Sequence, residues 1–101
     1  MKKYNIKIDQ DALIDIQEIT NWYNNQQKGL GKRFQLTATK QINTLSKYAH
    51  SHAIRYQKFR CMVIKKFPYM VHYYINEENS LVEIFAVIGT SRDPEIWKSR
   101  R

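Results

Sequence analysis

The sequence predicts an α+β fold, with an N-terminal strand, an α-helical hairpin, a mainly antiparallel sheet containing a three-strand meander, and a short C-terminal helix. Two observations carry this expectation. Two long stretches with helical apolar spacing come first, and three strand-like apolar runs separated by turn signals come after them. Helices segregated ahead of a meander favour a helical layer covering one face of a sheet over an alternating parallel arrangement. At 101 residues the chain is expected to form one domain, 1–101, since domains commonly run to roughly 50–250 residues.

Tyr4, Ile6 and Ile8 alternate with Asn5 and Lys7, the pattern of a strand with one buried face. Asp9 then offers a carboxylate to the free N–H groups of a following helix. Asp11 and Asp15 sit early in that helix, where its dipole favours negative charge. Ala12, Leu13, Ile16, Ile19, Thr20 and Tyr23 share one helical face, which places the first helix over Gln10 to Gln26. Gly29-Leu30-Gly31 breaks the pattern. Leu30, Phe34, Ala38, Ile42, Leu45 and Ala49 then recur three or four residues apart and define a second helix over Leu30 to Tyr48, with Lys32, Arg33, Gln35, Lys40, Gln41, Asn43 and Lys47 outward. A short glycine turn between two helices makes an antiparallel hairpin.

His50-Ser51-His52 opens a connector. Strands are expected over Phe59 to Phe67, Tyr69 to Asn76 and Leu81 to Gly89. Pro68 cannot donate to a ladder and marks a turn or a sheet edge. Asn76-Glu77-Glu78-Asn79-Ser80 reads as a polar hairpin loop. In the last strand, alternation puts Val82, Ile84, Ala86 and Ile88 on one face and Glu83, Phe85 and Val87 on the other. Asp93-Pro94 reads as a cap with proline in the first turn of a short helix reaching about Lys98.

Composition narrows the function classes. Seventeen Lys and Arg against nine Asp and Glu give a charge of +8, a field that attracts phosphate, anionic lipid or acidic protein segments. The excess divides evenly between the two halves, so a basic surface must be assembled by folding. The single cysteine, Cys61, excludes an intrachain disulfide and a cysteine-based zinc site, and suits a reducing cytoplasm. The N-terminus lacks the apolar run of a signal peptide, and no stretch of about 20 apolar residues is present to span a membrane.

Candidate chemistry concentrates on the second predicted strand. Arg55, Lys58, Arg60, Lys65 and Lys66 interleave with Tyr56, Phe59, Phe67, Tyr69, Tyr73 and Tyr74. That mixture suits phosphate contact with base stacking, and equally a solvated sheet face with aromatics in the core. His72 could transfer protons near neutrality or sit hydrogen-bonded in the interior. His50 and His52 have no cysteine or neighbouring acidic partner in sequence, so no metal and no cofactor is expected. Gly29-Leu30-Gly31 lacks the third glycine and the Lys-Ser/Thr pair of a phosphate loop. Cys61 has apolar neighbours and reads as a structural thiol. Trp97 is either a plug against the sheet or an interface anchor.

Several segments together resemble the RelE/ParE superfamily of toxins from type II toxin–antitoxin modules. They are Trp22-Tyr23 with Leu30-Gly31-Lys32-Arg33-Phe34, Arg60 with Lys66-Phe67-Pro68-Tyr69-Met70-Val71-His72-Tyr73, Phe85-Ala86-Val87, and Ser91-Arg92-Asp93-Pro94-Glu95-Ile96-Trp97. The resemblance implies a helical hairpin packed on an antiparallel sheet. RelE-type members cut mRNA on the ribosome with basic side chains on the sheet and a tyrosine near the C-terminus. Here those positions correspond to Cys61 and Val63, to Met70 and to Trp97. A thioether cannot pair a phosphate, and an indole has no proton to give at neutral pH. The resemblance therefore implies the ParE-like branch, whose members block DNA gyrase without cutting. It implies a cytoplasmic toxin neutralised by a cognate antitoxin, with Arg60, Lys65, Lys66 and Arg92 as contact residues and Trp97 as a packing anchor. The alternative is a RelE-like endoribonuclease acting on the ribosome and mRNA, with Arg60, Lys65 and Arg92 stabilising phosphate and His72 moving the proton. A further alternative is a folded remnant that binds antitoxin with little toxicity. Self-association through an edge strand beside Pro68 is also an expectation.

Overall fold

A computed structural model describes residues 3–91 of the chain. In chain order the elements are β1 (Asn5–Ile8), α1 (Gln10–Gln26), α2 (Leu30–Tyr48), a 3₁₀ turn (Ala49–Ser51), β2 (Ile54–Tyr56), β3 (Phe59–Val63), β4 (Tyr69–Asn76) and β5 (Leu81–Gly89). The strands form one sheet in the order β1-β5-β4-β3-β2. β1 runs parallel to β5, and every other pairing is antiparallel. Both helices and the last two strands keep the boundaries expected from sequence. The expected C-terminal helix lies outside the described residues.

Alternate residues send β-strand side chains to opposite faces. Ile6, Ile8, Met62, Val71, Tyr73, Val82 and Ile84 pack with Ile16, Ile19, Phe34, Ala38, Ile42 and Leu45 of the helices to form the main core. Tyr23, Phe34, Phe67 and Tyr69 meet at its end, with ring centroids 5.2–6.2 Å apart, mostly edge to face. Such pairs add about 0.5–1.5 kcal/mol beyond their burial.

Four local expectations are corrected. The strand expected over Phe59 to Phe67 ends at Val63, because the chain turns at once: the Ile64 N–H donates to the Tyr69 carbonyl and Lys66 adopts φ 69°. The connector contains an additional strand, β2, joined to β3 by a tight turn at Gln57 (φ 47°) and Lys58. Asp9 occupies the α1 N-cap position but makes no side-chain capping bond. Its carboxyl instead pairs with Glu83, and burial together with that hydrogen bond raises its pKa to about 6.

The fourth correction concerns β5. His72 stands opposite Ala86 and Tyr73 opposite Ile84, so Phe85 is an extra residue, a β-bulge. Phe85 and Ala86 both turn away from the helices, Val87 turns toward them, and Ile88 turns away. Ala86 and Ile88 thus leave the face of Val82 and Ile84.

The helices approach closely at Gly31, whose N–H donates to Asn24 Oδ1 at 2.8 Å. A β-carbon there would overlap the Thr20 carbonyl oxygen and fall 2.6 Å from the Asn24 carboxamide. Gly29 has open space around it and requires glycine for its φ of 86°. Gly31→Ala is therefore expected to lower stability by about 1–3 kcal/mol through overpacking, and Gly29→Ala by about 1–2 kcal/mol through backbone strain. Denaturant melts of Gly31→Ser should show a larger loss than Gly31→Ala, whereas Gly29→Ser should match Gly29→Ala.

Candidate functional site

The sheet face turned away from the helices gathers Cys61, Val63 and Met70, which occupy resemblance-implied catalytic positions. Cys61 and Val63 of β3 stand beside His72 and Met70 of β4, which stand beside Ala86 and Ile88 of β5. Phe59, Phe85, Ala86 and Ile88 form a second apolar cluster, with Tyr56 and Tyr74 packed against it. His72 is 1% exposed. Its Nδ1 lies 3.0 Å from the Tyr56 hydroxyl and 3.4 Å from Cys61 Sγ. Burial pushes the Cys61 thiol up, and Arg55 opposes this only in part. A thiol held protonated is a weak nucleophile. The Arg55 guanidinium reaches Met70 Sδ at 3.9 Å. Lys58 lies 4.3 Å above the Tyr74 ring, and the Tyr74 hydroxyl donates to Glu83 Oε1 at 2.6 Å.

Of the candidate cations, Arg55 and Lys58 lie on this face, whereas Arg60, Lys65 and Lys66 do not. Arg60 pairs with Tyr73 on the helix side of the sheet, where its Nη1 donates to the His52 carbonyl at 2.7 Å. The Tyr73 hydroxyl donates to the Ala49 carbonyl at 2.7 Å, and burial raises its pKa to about 12. Burial, aided by Arg60, lowers that of His52. Lys65 and Lys66 lie in the β3–β4 turn with exposed side chains, and the Lys65 N–H donates to Gln41 Oε1 on α2 at 2.6 Å. Arg92 and Trp97 lie outside the described residues. His50 does gain an acidic partner on folding, Glu77 at 2.8 Å. Among the described residues no cluster of His, Cys, Asp or Glu could hold a metal ion, and no helix is long and apolar enough to cross a membrane.

β1 covers β5 only as far as Ile84. Beyond it Asp15 of α1 takes over, its Oδ2 accepting the Val87 N–H at 3.0 Å. A groove of about 460 Å³ follows between α1 and the β4–β5 end, lined by Glu18, Trp22, Tyr69, Val87 and Gly89 among others. Sequence patterning did not single out this groove. Its signal was the mismatch between a four-residue β1 and a nine-residue β5.

Residues 6–94 match the model of the ParE toxin of the type II toxin–antitoxin system, parDE. The chain belongs to the ParE toxin family. Its fold is similar to that of the chromosomal ParDE toxin–antitoxin system from P. aeruginosa, with TM-score 0.78 and 14% identity over 88% of this chain and 98% of that one. A free variant of the E. coli RelE toxin aligns with TM-score 0.69 and 15% identity over 94% and 90% of the two chains. The RelBE2 complex from Mycobacterium tuberculosis aligns with TM-score 0.64 and 15% identity over 86% and 98%. No curated protein sequence matches at a significant level.

This ParE-family toxin uses most of its motif residues as structure. Tyr23, Phe34, Phe67 and Tyr69 form the aromatic cluster, and Gly31 sets the helix crossing. The resemblance rests on packing requirements more than on chemistry. Arg60→Ala is expected to cost about 1–2 kcal/mol of stability, since a charge-assisted hydrogen bond is lost and the His52 carbonyl loses its donor. Lys65→Ala should change stability by less than about 0.5 kcal/mol. Thermal melts of the two variants check the difference.

Proposed function

We infer that this ParE-family toxin acts by binding its cellular target rather than by cutting RNA, and that DNA gyrase is the target. The observation that carries this reading is the division of the candidate residues between two faces and a distant turn. His72 is buried against Tyr56 and Cys61 on one face, and Arg60 is engaged with His52 on the other. Phosphodiester cleavage needs a proton-transfer group and cations converging on one phosphate. On the His72 face, Cys61, Val63 and Met70 stabilise no developing charge, and the cations of that face, Arg55 and Lys58, rest against Met70 Sδ and the Tyr74 ring.

The protein would act in the cytoplasm as a single domain of residues 1–101. A cognate antitoxin would silence it, a reading supported by two similar structures that are toxin–antitoxin complexes. The excess of basic residues suits an acidic antitoxin segment, with electrostatics speeding capture. Lys65 and Lys66, exposed in the β3–β4 turn, are contact residues in this reading, together with Arg60 and Arg92. Trp97 would anchor packing.

Two assays test this, one on the purified toxin and one in cells. Gyrase supercoiling should be inhibited by the toxin and restored by antitoxin, and cellular mRNA should remain intact after brief induction. Lys65→Ala/Lys66→Ala should weaken inhibition by about tenfold, the loss of two charge contacts at an interface. Supercoiling untouched at excess toxin would refute the gyrase assignment. Discrete mRNA cuts abolished by His72→Ala would restore the nuclease reading.

A further inference from the structure

Between Glu18 and Glu77 the sequence holds no Asp or Glu, yet ten of its seventeen Lys and Arg fall there. That stretch includes α2, β2, β3 and the β3–β4 turn. The carboxylates around it are engaged elsewhere. Glu77 accepts the Tyr4 hydroxyl and meets His50, Glu83 accepts the Tyr74 hydroxyl, and Asp15 and Glu18 line the groove between α1 and the β4–β5 end. On α2, Arg33, Lys40 and Lys47 recur every seventh residue and are all exposed. Helical geometry sets them in one row, about 10.5 Å apart, on the flank that also carries Gln41. Gln41 ties this flank to the sheet. Its Nε2 donates to the Val63 carbonyl at 2.9 Å, and its Oε1 accepts the Lys65 N–H at 2.6 Å. The turn with the exposed Lys65 and Lys66 is thereby fixed beside the row. Among the described residues no ion pair holds any of these five cations.

We propose that this flank of α2 and the β3–β4 turn together form a docking surface for the phosphate backbone of duplex DNA. The row from Arg33 to Lys47 is about 21 Å long, a length over which duplex DNA carries about twelve phosphates. Charge density favours the duplex over an acidic peptide. Duplex DNA carries one charge per about 1.7 Å, whereas an extended chain of acidic residues carries at most one per about 3.3 Å. A membrane surface fits poorly, because α2 buries its apolar side through Phe34, Ala38, Ile42 and Leu45 and keeps no apolar face to insert. A single strand fits poorly too. Binding one relies on a run of exposed rings on which bases stack, and the one exposed ring of α2 is Tyr48. The surface offers regularly spaced positive charge on a rigid helix, which holds a backbone and reads no base.

The test is fluorescence anisotropy with the purified toxin and a labelled DNA duplex of about 20 base pairs, long enough to span the row at about 3.4 Å per step. Five phosphate contacts give a slope of log K against log salt of about −4.5, so affinity is expected to fall about 500-fold between about 50 and 200 mM salt. Lys40→Ala/Lys65→Ala is expected to lower affinity about tenfold or more and to make the slope shallower by about 1.8. Lys40→Gln/Lys65→Gln, which keeps most of each side chain's length, is expected to do the same. Arg55→Ala/Lys58→Ala removes equal charge from the opposite sheet face, where Arg55 meets Met70 and Lys58 meets the Tyr74 ring. It is expected to leave the slope unchanged. Absence of binding at about 50 mM salt and about 1 mM toxin overturns the proposal, since backbone contacts of this kind hold at about 0.1 mM or tighter. Equal weakening by the Lys40/Lys65 and Arg55/Lys58 pairs also overturns it, because the attraction would then be one of net charge alone. So does displacement of the duplex by a single-stranded RNA or by polyglutamate at a lower concentration than unlabelled duplex requires. The assay contains no gyrase, so its failure and that of the gyrase assignment are separate results.

Discussion

One inserted residue in β5 governs how the sheet divides its side chains. The bulge at Phe85 lets Val82, Ile84 and Val87 all face the helices although their spacing breaks strict alternation. It also brings Phe85 and Ala86 together on the opposite face, beside His72 and Phe59. Without the extra residue, a one-residue slip would exchange the two faces from Ala86 onward. Val87 would leave the core, and its N–H would no longer meet the Asp15 carboxylate that covers β5 where β1 ends.

The bulge therefore links the two halves of the account. On the helix side it preserves a continuous core and fixes α1 against the sheet through Asp15. On the other side it fills the centre of the sheet with aromatic and aliphatic groups. The Phe59 and Phe85 ring centroids are 4.5 Å apart, and His72 is closed in beside them. The face turned away from the helices is thus packed at its centre with aromatic and aliphatic groups. In the proposed reading, function falls to the exposed lysines of the β3–β4 turn.

Much of this was legible in the sequence. Both helices were bounded by their apolar periodicity and by Gly29, whose positive φ needs a glycine. β4 and β5 were bounded by Pro68 and the polar hairpin loop. The rest failed for physical reasons. β2 was hidden because its turn uses Gln57 and Lys58, which carry no turn signature, with Gln57 held at a positive φ by tertiary context. The bulge was hidden because β5 is apolar on both faces, so its composition does not mark the residue at which alternation breaks. Position alone marks Asp9 as a cap, but Glu83 lies across the β1–β5 pairing and captures its carboxyl. Arg60 had the right residue type for a phosphate contact, and only the register with Tyr73 places it on the helix side. The edge strand expected beside Pro68 is absent among the described residues: the edges are β1 and β2, and the Pro68 turn leads into β4, paired on both sides.

The central claim is that the face around His72 is a packed surface with no role in handling phosphate. The most direct measurement is a nuclear magnetic resonance titration of the toxin with a short single-stranded RNA, following the Met70 methyl group and the His72 ring. The account predicts that these resonances stay fixed while any changes fall on exposed lysines. Saturable shifts centred on Met70 and His72 would contradict it.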